Sequence, residues 1–177
     1  MEITKNNQDS FLLVAKQADV AINPDKEVKA DVVLQSGLEH TYKPTKEQIL
    51  FDGPGEYEVK NTMIDAVALQ KTTGFVVTSS GLRISFIDTD ENNLDESQIE
   101  ALGNPDILII RAFGEKAESL NKLISELEPS IVIPFGYNEA QLKSLSAEFG
   151  KDITRNPKLK VSKKDVSIEN QQLIVLE

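Results

Sequence analysis

The stretch Glu115–Phe135 reads EKAESLNKLISELEPSIVIPF. Ala117, Leu120, Leu123, Ile124 and Leu127 recur at the spacing of one helix face, and Pro129 ends that helix because the residue before a proline is driven out of the α region. The SIVIPF that follows is an uninterrupted apolar run, which suits a strand covered on both faces. Helix followed by buried strand is one part of a β-α repeat, and its neighbours complete it. Upstream, DILIIR (106–111) is a second buried run. Before it, Asp95 is placed to cap a helix ESQIEAL (96–102), with Gln98 completing a capping box and Gly103 as a left-handed stop. Downstream, Glu139–Phe149 puts Leu142, Leu145 and Phe149 on one face and stops at Gly150. The closing KLKVSKKDVSIENQQLIVLE (158–177) reads as a hairpin.

The first half is written differently. Between Ser10 and Asp88 short β-type runs alternate with turn residues: SFLLVA (10–15), DVAIN (19–23), DVVLQ (31–35), QILFD (48–52), TMIDAVALQ (62–70), GFVVTSS (74–80) and LRISFID (82–88). A β-rich half and a β-α half of similar size bury each other if two sheets stack and helices cover them. The expected class is therefore α/β, a layered sandwich. At 177 residues and 40% hydrophobic, the chain supports one domain over 1–177 with a sizeable core.

Composition removes several function classes. A net charge of −10 opposes the counterion release that drives binding to a phosphate backbone, so no nucleic-acid partner is expected. The absence of cysteine excludes disulfides, thiol nucleophiles and cysteine-held zinc. No run approaches the ~20 apolar residues that span a bilayer, and the start MEITKNNQDSFLLVAKQADV has no small-residue cleavage pattern. No membrane association and a cytoplasmic location are the expectation. Lys158, Lys160, Lys163 and Lys164 read as charges that protect a strand edge.

Three loops follow expected strands and converge at one edge of such a sandwich: Ser36–Tyr42, Asp52–Val59 and Asp88–Asn93. In DGPGEYEV, Gly53 and Gly55 bracket Pro54. That loop is either a ligand loop faced by Gly53, Gly55 and Glu56, or a tight turn into the next strand. The second is favoured, because no Lys, Ser or Thr follows at phosphate-loop spacing. DTDENN holds closely spaced acids that suit a hard cation, yet lacks the EF-hand pattern and reads better as a solvated loop. Ser36 has no nucleophile-elbow context and reads as a turn serine.

KADVVLQSGLEHTY, DGPGEYEV, LRISFID, LDESQIEALGNPDILII and LNKLISELEPSIVIPFGY resemble, in order, successive segments of the metallo-β-lactamase-fold hydrolases, in particular a small zinc-dependent, lactonase-like branch. The resemblance covers nearly the whole chain and implies a four-layer αββα sandwich. It also shows what is missing. The family's metal motif, Ser-His-x-His-x-Asp-His, aligns with Ser36-Gly37-Leu38-Glu39-His40-Thr41-Tyr42. Gly37, Glu39, Thr41 and Tyr42 stand in the four ligand slots, and His40, the only histidine, falls in a slot without a ligand. A later family histidine corresponds to Gly136, and the metal-bridging aspartate corresponds to Asp88 or Asp90. The segment between the third strand and DGPG leaves little room for the family's usual helix, so the sandwich is expected to be truncated.

A catalytic zinc takes about three protein ligands and one open position, and hydrolysis of the family type relies on the metal-bound hydroxide. The residues here do not supply that set. The expected function is thus a metal-free, non-catalytic relative, a pseudoenzyme with no cofactor and no catalytic residue, acting in binding or assembly with a protein partner or with itself as a homo-oligomer. The alternative is a metal-dependent hydrolase with a rebuilt carboxylate-rich site of Glu39, His40, Glu56, Asp88 and Asp90 around a weakly bound divalent metal.

Overall fold

Short apolar runs separated by turn residues fold as strands, and every run marked above does so. The computed structural model describes residues 1–37, 39, 41–89, 94–112, 117–150, 152–167 and 171–177. Its first half holds β1 (Glu2–Lys5), β2 (Phe11–Val14), β3 (Val20–Ile22), β4 (Val32–Leu34), β5 (Ile49–Phe51), β6 (Gly55–Val59), β7 (Thr62–Ala68), β8 (Thr73–Ser79) and β9 (Leu82–Ile87). The second half alternates: α1 (Glu96–Leu102), β10 (Ile107–Arg111), α2 (Ala117–Leu127), β11 (Ile131–Phe135), α3 (Glu139–Phe149), β12 (Ile153–Asn156), β13 (Leu159–Lys160) and β14 (Gln172–Leu176).

Two sheets result, in the orders β13-β1-β2-β3-β4-β5 and β12-β14-β11-β10-β9-β8-β7-β6. In the larger sheet β9, β10, β11, β14 and β12 are parallel, and the β10 and β11 interiors are buried on both faces, as their unbroken apolar runs require. The closing segment is not a hairpin. β13 pairs antiparallel with β1, whereas β14 lies parallel between β11 and β12 in the other sheet. QLIVL is buried over its last four residues, and a run needing cover on both faces goes to a sheet interior rather than to a local turn. Lys158 and Lys160 mark the exposed edge at β13, each within 4 Å of Glu2, at 3.1 and 3.7 Å.

The main core lies between the sheets, around Phe11, Phe86 and Phe135. Phe86 and Phe135 stack at 5.4 Å, and Phe11 meets them edge-on at 6.1 and 5.5 Å. A second core joins the outer face of the larger sheet to the helices through Leu102, Leu120, Leu123, Ile124, Leu127 and Leu145. All three described α-helices lie on this side, so the described residues form β-β-α layers. Among the described residues no helix covers the six-stranded sheet, and none occupies the described part of 37–48. Among the described residues, no helix is long and apolar enough to cross a membrane.

Helix ends follow local chemistry. Asp95 accepts from the Gln98 N–H and closes the capping box, as Asn138 does with Gln141 for α3. Gly150 is left-handed at φ 65°. Gly103 is not: its φ is −74°, and the left-handed residue is Asn104. Gly103 is needed for space, because a Cβ there would sit 2.6 Å from the Ile99 carbonyl oxygen. Replacing Asn138 with alanine is expected to cost about 1 kcal/mol in urea unfolding, with the fold retained.

An ion pair between Lys60 and Asp31 links the two sheets. Lys60, in the β6–β7 turn, donates to Asp31 just before β4 at 2.6 Å. This bond, with the Asp19 N–H, holds the Asp31 carboxyl below its ordinary value. A lowered folded-state pKa gives stability above the unfolded value of about 4 that is lost as pH falls through the folded value. The stability difference between Lys60→Ala and wild type is therefore expected at neutral pH and to vanish in acid. A difference independent of pH would contradict the assignment.

Candidate functional site

The carboxyl ends of parallel strands are where α/β sheets gather functional groups. Here Asn23 directly follows β3, Ser36 lies two residues past β4, Asp88 follows β9 and Gly136 follows β11, while Arg111 is the last residue of β10. These residues meet. Asp88 is 3% exposed. Its Oδ2 accepts from the Ser36 hydroxyl at 3.0 Å and from the Asn23 amide at 3.4 Å. The Asn23 amide also donates to Ser36 Oγ at 2.9 Å, and Asn23 Oδ1 accepts the Ser36 N–H at 2.9 Å. The Asp88 backbone carbonyl accepts from the Thr72 hydroxyl at 2.6 Å.

The other Asp88 oxygen, Oδ1, accepts from Arg111 Nε in a close ion pair. Arg111 also faces Asp9, at 3.8 Å, and lies over the Phe135 ring with its guanidinium carbon 5.1 Å from the centroid. Gly136 leaves room for this side chain: a Cβ there would sit 3.0 Å from Arg111 Nη1 and 3.3 Å from its Cγ. Gly136 has φ 68°, which disfavours any other residue. Nearby, Lys5 lies 5.7 Å over the Tyr137 ring. Burial lowers the Lys5 ammonium pKa while Asp9 opposes it, and burial raises that of the Tyr137 phenol.

The sequence-marked positions separate into three sets. Gly37, Ser36 and Asp88 stand at this mouth. Glu39 folds its carboxylate over Gly37, where a Cβ would be 2.6 Å from Oε2. Thr41 is exposed, and Tyr42 turns toward the loop, its hydroxyl donating to Gln48 at 3.0 Å. Glu56 leaves the set altogether. Tyr57 and Val59 face the inter-sheet core, so Glu56 points to the opposite, exposed side of β6, opposite Asp65. Gly53, Pro54 and Gly55 form a turn that the Tyr57 hydroxyl closes on itself by donating to the Gly53 and Pro54 carbonyls at 3.2 and 3.3 Å. His40 and Asp90 lie outside the described residues.

Sequence reasoning did not mark Arg111, Asn23 or Asp9. Arg111 carried a usable signal, a lone charge ending a buried strand where neighbouring strands also end. Asn23, in the left-handed region at φ 47° and 1% exposed, carried none that a strand pattern shows.

Chemically, the mouth is a closed polar network. The Ser36 proton is engaged by a carboxylate rather than by an imidazole, so no base-activated nucleophile of the triad type is formed among the described residues. Among the described residues the zinc that the fold implies finds no fitting ligand set. Among the described residues no three His, Cys, Asp or Glu side chains come together, a guanidinium sits against Asp88, and the space beside Gly136 is taken by that guanidinium. Next to the network opens a cleft of about 370 Å³, bounded by Gln35–Gly37, Asp52, Pro54 and the turn 68–73. Its size falls within the range of small-molecule sites, about 300–1,000 Å³.

Residues 2–136 match the model of the beta-lactamase superfamily domain. Solved structures share the architecture. A protein of Thermotoga maritima, proposed as a Zn-dependent hydrolase of the metallo-beta-lactamase superfamily, superposes with a TM-score of 0.80 at 22% identity, over 100% of this chain and 99% of that one. A proposed metal-dependent hydrolase of Parabacteroides distasonis gives 0.68 at 14%, over 99% and 93%. The metallo-beta-lactamase fold protein YhfI of Bacillus subtilis gives 0.61 at 10%, over 99% and 96%. These likenesses concern the fold, and the first shows that the compact length is shared. No curated protein sequence matches the chain.

Proposed function

Because this chain belongs to the beta-lactamase superfamily domain family and has the metallo-β-lactamase fold, we propose that it is a metal-free, non-catalytic member that keeps the scaffold for binding or assembly in the cytoplasm. The observation that supports this most is the Arg111 guanidinium seated on Asp88 and against Gly136. A cation that is part of the chain thus meets a carboxylate that the family resemblance offers as one of two candidates for the metal-bridging aspartate. The cleft beside it supports a binding role, and the acidic chain is directed to a protein partner, or to a second copy of itself, rather than to nucleic acid.

Two measurements test the reading together. Melting curves with Zn, Mn, Mg and Ca are expected to superpose on the curve without metal. A site that bound any of them at a hundredfold excess over Kd would add about 2.7 kcal/mol, roughly 5–10 °C for a chain of this size. Hydrolysis of lactone, phosphodiester and β-lactam substrates is expected to stay at the uncatalysed rate. A metal-dependent rise in melting temperature accompanied by turnover would replace this reading with the rebuilt carboxylate site.

A further inference from the structure

Asp88 poses a physical problem that the fold has to solve. A carboxylate with 4% of its side chain exposed is costly unless a cation or several donors answer it. Ser36 and Asn23 answer one oxygen. The other oxygen accepts from Arg111. Arg111 is itself fixed on several sides. Its Nε is on Asp88, its Nη2 lies 3.8 Å from Asp9 in the β1–β2 connection, and its guanidinium plane rests over Phe135, 5.1 Å from the ring centroid. Those contacts join β9, β10 and β11 of one sheet to the β1–β2 turn of the other. Gly136 provides the space, since a Cβ at that position would press on both Nη1 and Cγ of Arg111.

We propose that Arg111 is a resident cation that takes over the structural work a bound metal would do in this scaffold: it neutralises buried Asp88 and clamps the mouth between the two sheets. Arginine suits this task and no other part of metal chemistry. Its planar fork offers several donors in fixed directions, it stays protonated at any physiological pH, and it has no open position at which water becomes nucleophilic. Because it is tethered, the clamp cannot be removed by a chelator or exchanged for another ion. This rests on the metal-free reading of the wild-type chain, and its test separates the two.

The test is thermal unfolding of wild type, Arg111→Met, Arg111→Lys, Asp88→Asn and the Arg111→Met/Asp88→Asn pair, each with and without EDTA. Wild type is expected to be indifferent to EDTA. Arg111→Met, which keeps the bulk and removes the charge, is expected to melt roughly 4–8 °C lower. Arg111→Lys is expected to recover part of that loss, since it restores a cation without the fork. The double variant is expected to melt above Arg111→Met alone, because the orphaned carboxylate is gone. A wild-type melting point that falls in EDTA would overturn the metal-free reading itself. With wild type indifferent, three results would overturn the resident cation alone: Arg111→Met as stable as wild type, Arg111→Lys no better than Arg111→Met, or strictly additive losses in the double variant.

Discussion

Phe135→Ala is expected to lose about 3–5 kcal/mol of unfolding free energy, seen as a fall in melting temperature of roughly 8–16 °C. The ring is fully buried, stacked on Phe86 and met edge-on by Phe11. Phe11 belongs to one sheet and Phe86 and Phe135 to the other, so the void would open at the centre of the sheet-to-sheet contact, where neither sheet can close it without shifting strands. The same ring supports the Arg111 guanidinium. Loss of the ring should therefore loosen the mouth as well as the core. Phe135→Leu, which keeps most of the volume, is expected to cost less than half as much. Equal losses for the two variants would show that the aromatic trio is not the packing centre.

Gly136→His, which restores the residue that the family resemblance puts at this position, is expected to destabilise the protein by about 3 kcal/mol and to create no zinc affinity. Two effects add. A φ of 68° costs a side-chain-bearing residue about 1–2 kcal/mol, and a Cβ 3.0 Å from Arg111 Nη1 overpacks the mouth, at about 1–3 kcal/mol. A relative with an empty metal site would gain from a returned ligand, whereas on the proposed reading the Arg111 side chain already occupies the space beside Gly136. Urea unfolding of Gly136→His with and without zinc reads both parts. A variant stabilised by zinc would show that the guanidinium yields the space readily and that the site remains a metal site in waiting.

Much of the fold was legible because the informative patterns are local. Seven strands, the Asp95 start of α1, the Gly150 stop of α3, and the two doubly buried runs at 107–111 and 131–135 follow from apolar periodicity, caps and a single proline. The departures have tertiary causes. Leu173–Leu176 is an apolar run that a hairpin would have satisfied, but the larger sheet offers burial on both faces. Gly103 looked like a left-handed stop and is instead a point of close approach to the Ile99 carbonyl. No described helix covers the six-stranded sheet, in keeping with the short segment between the third strand and DGPG.

The candidate site was legible chiefly as a set of substitutions. By the family resemblance Gly37, Glu39, Thr41, Tyr42 and Gly136 stand in ligand slots, yet no local pattern says which groups meet beside them. That answer needs residues 9, 23, 88 and 111 to be brought together from two sheets, which no local spacing encodes. Glu56 shows the converse. It sits beside glycines in a loop-like stretch, but its neighbours Tyr57 and Val59 are drawn to the core, and strand alternation sends it outward.

The claim on which the account turns is that the positive charge at this mouth belongs to the chain. Elemental analysis of the protein purified without chelator tests it most directly. Transition metal far below one atom per chain is the expected result, and one or two zinc atoms held per chain would contradict it.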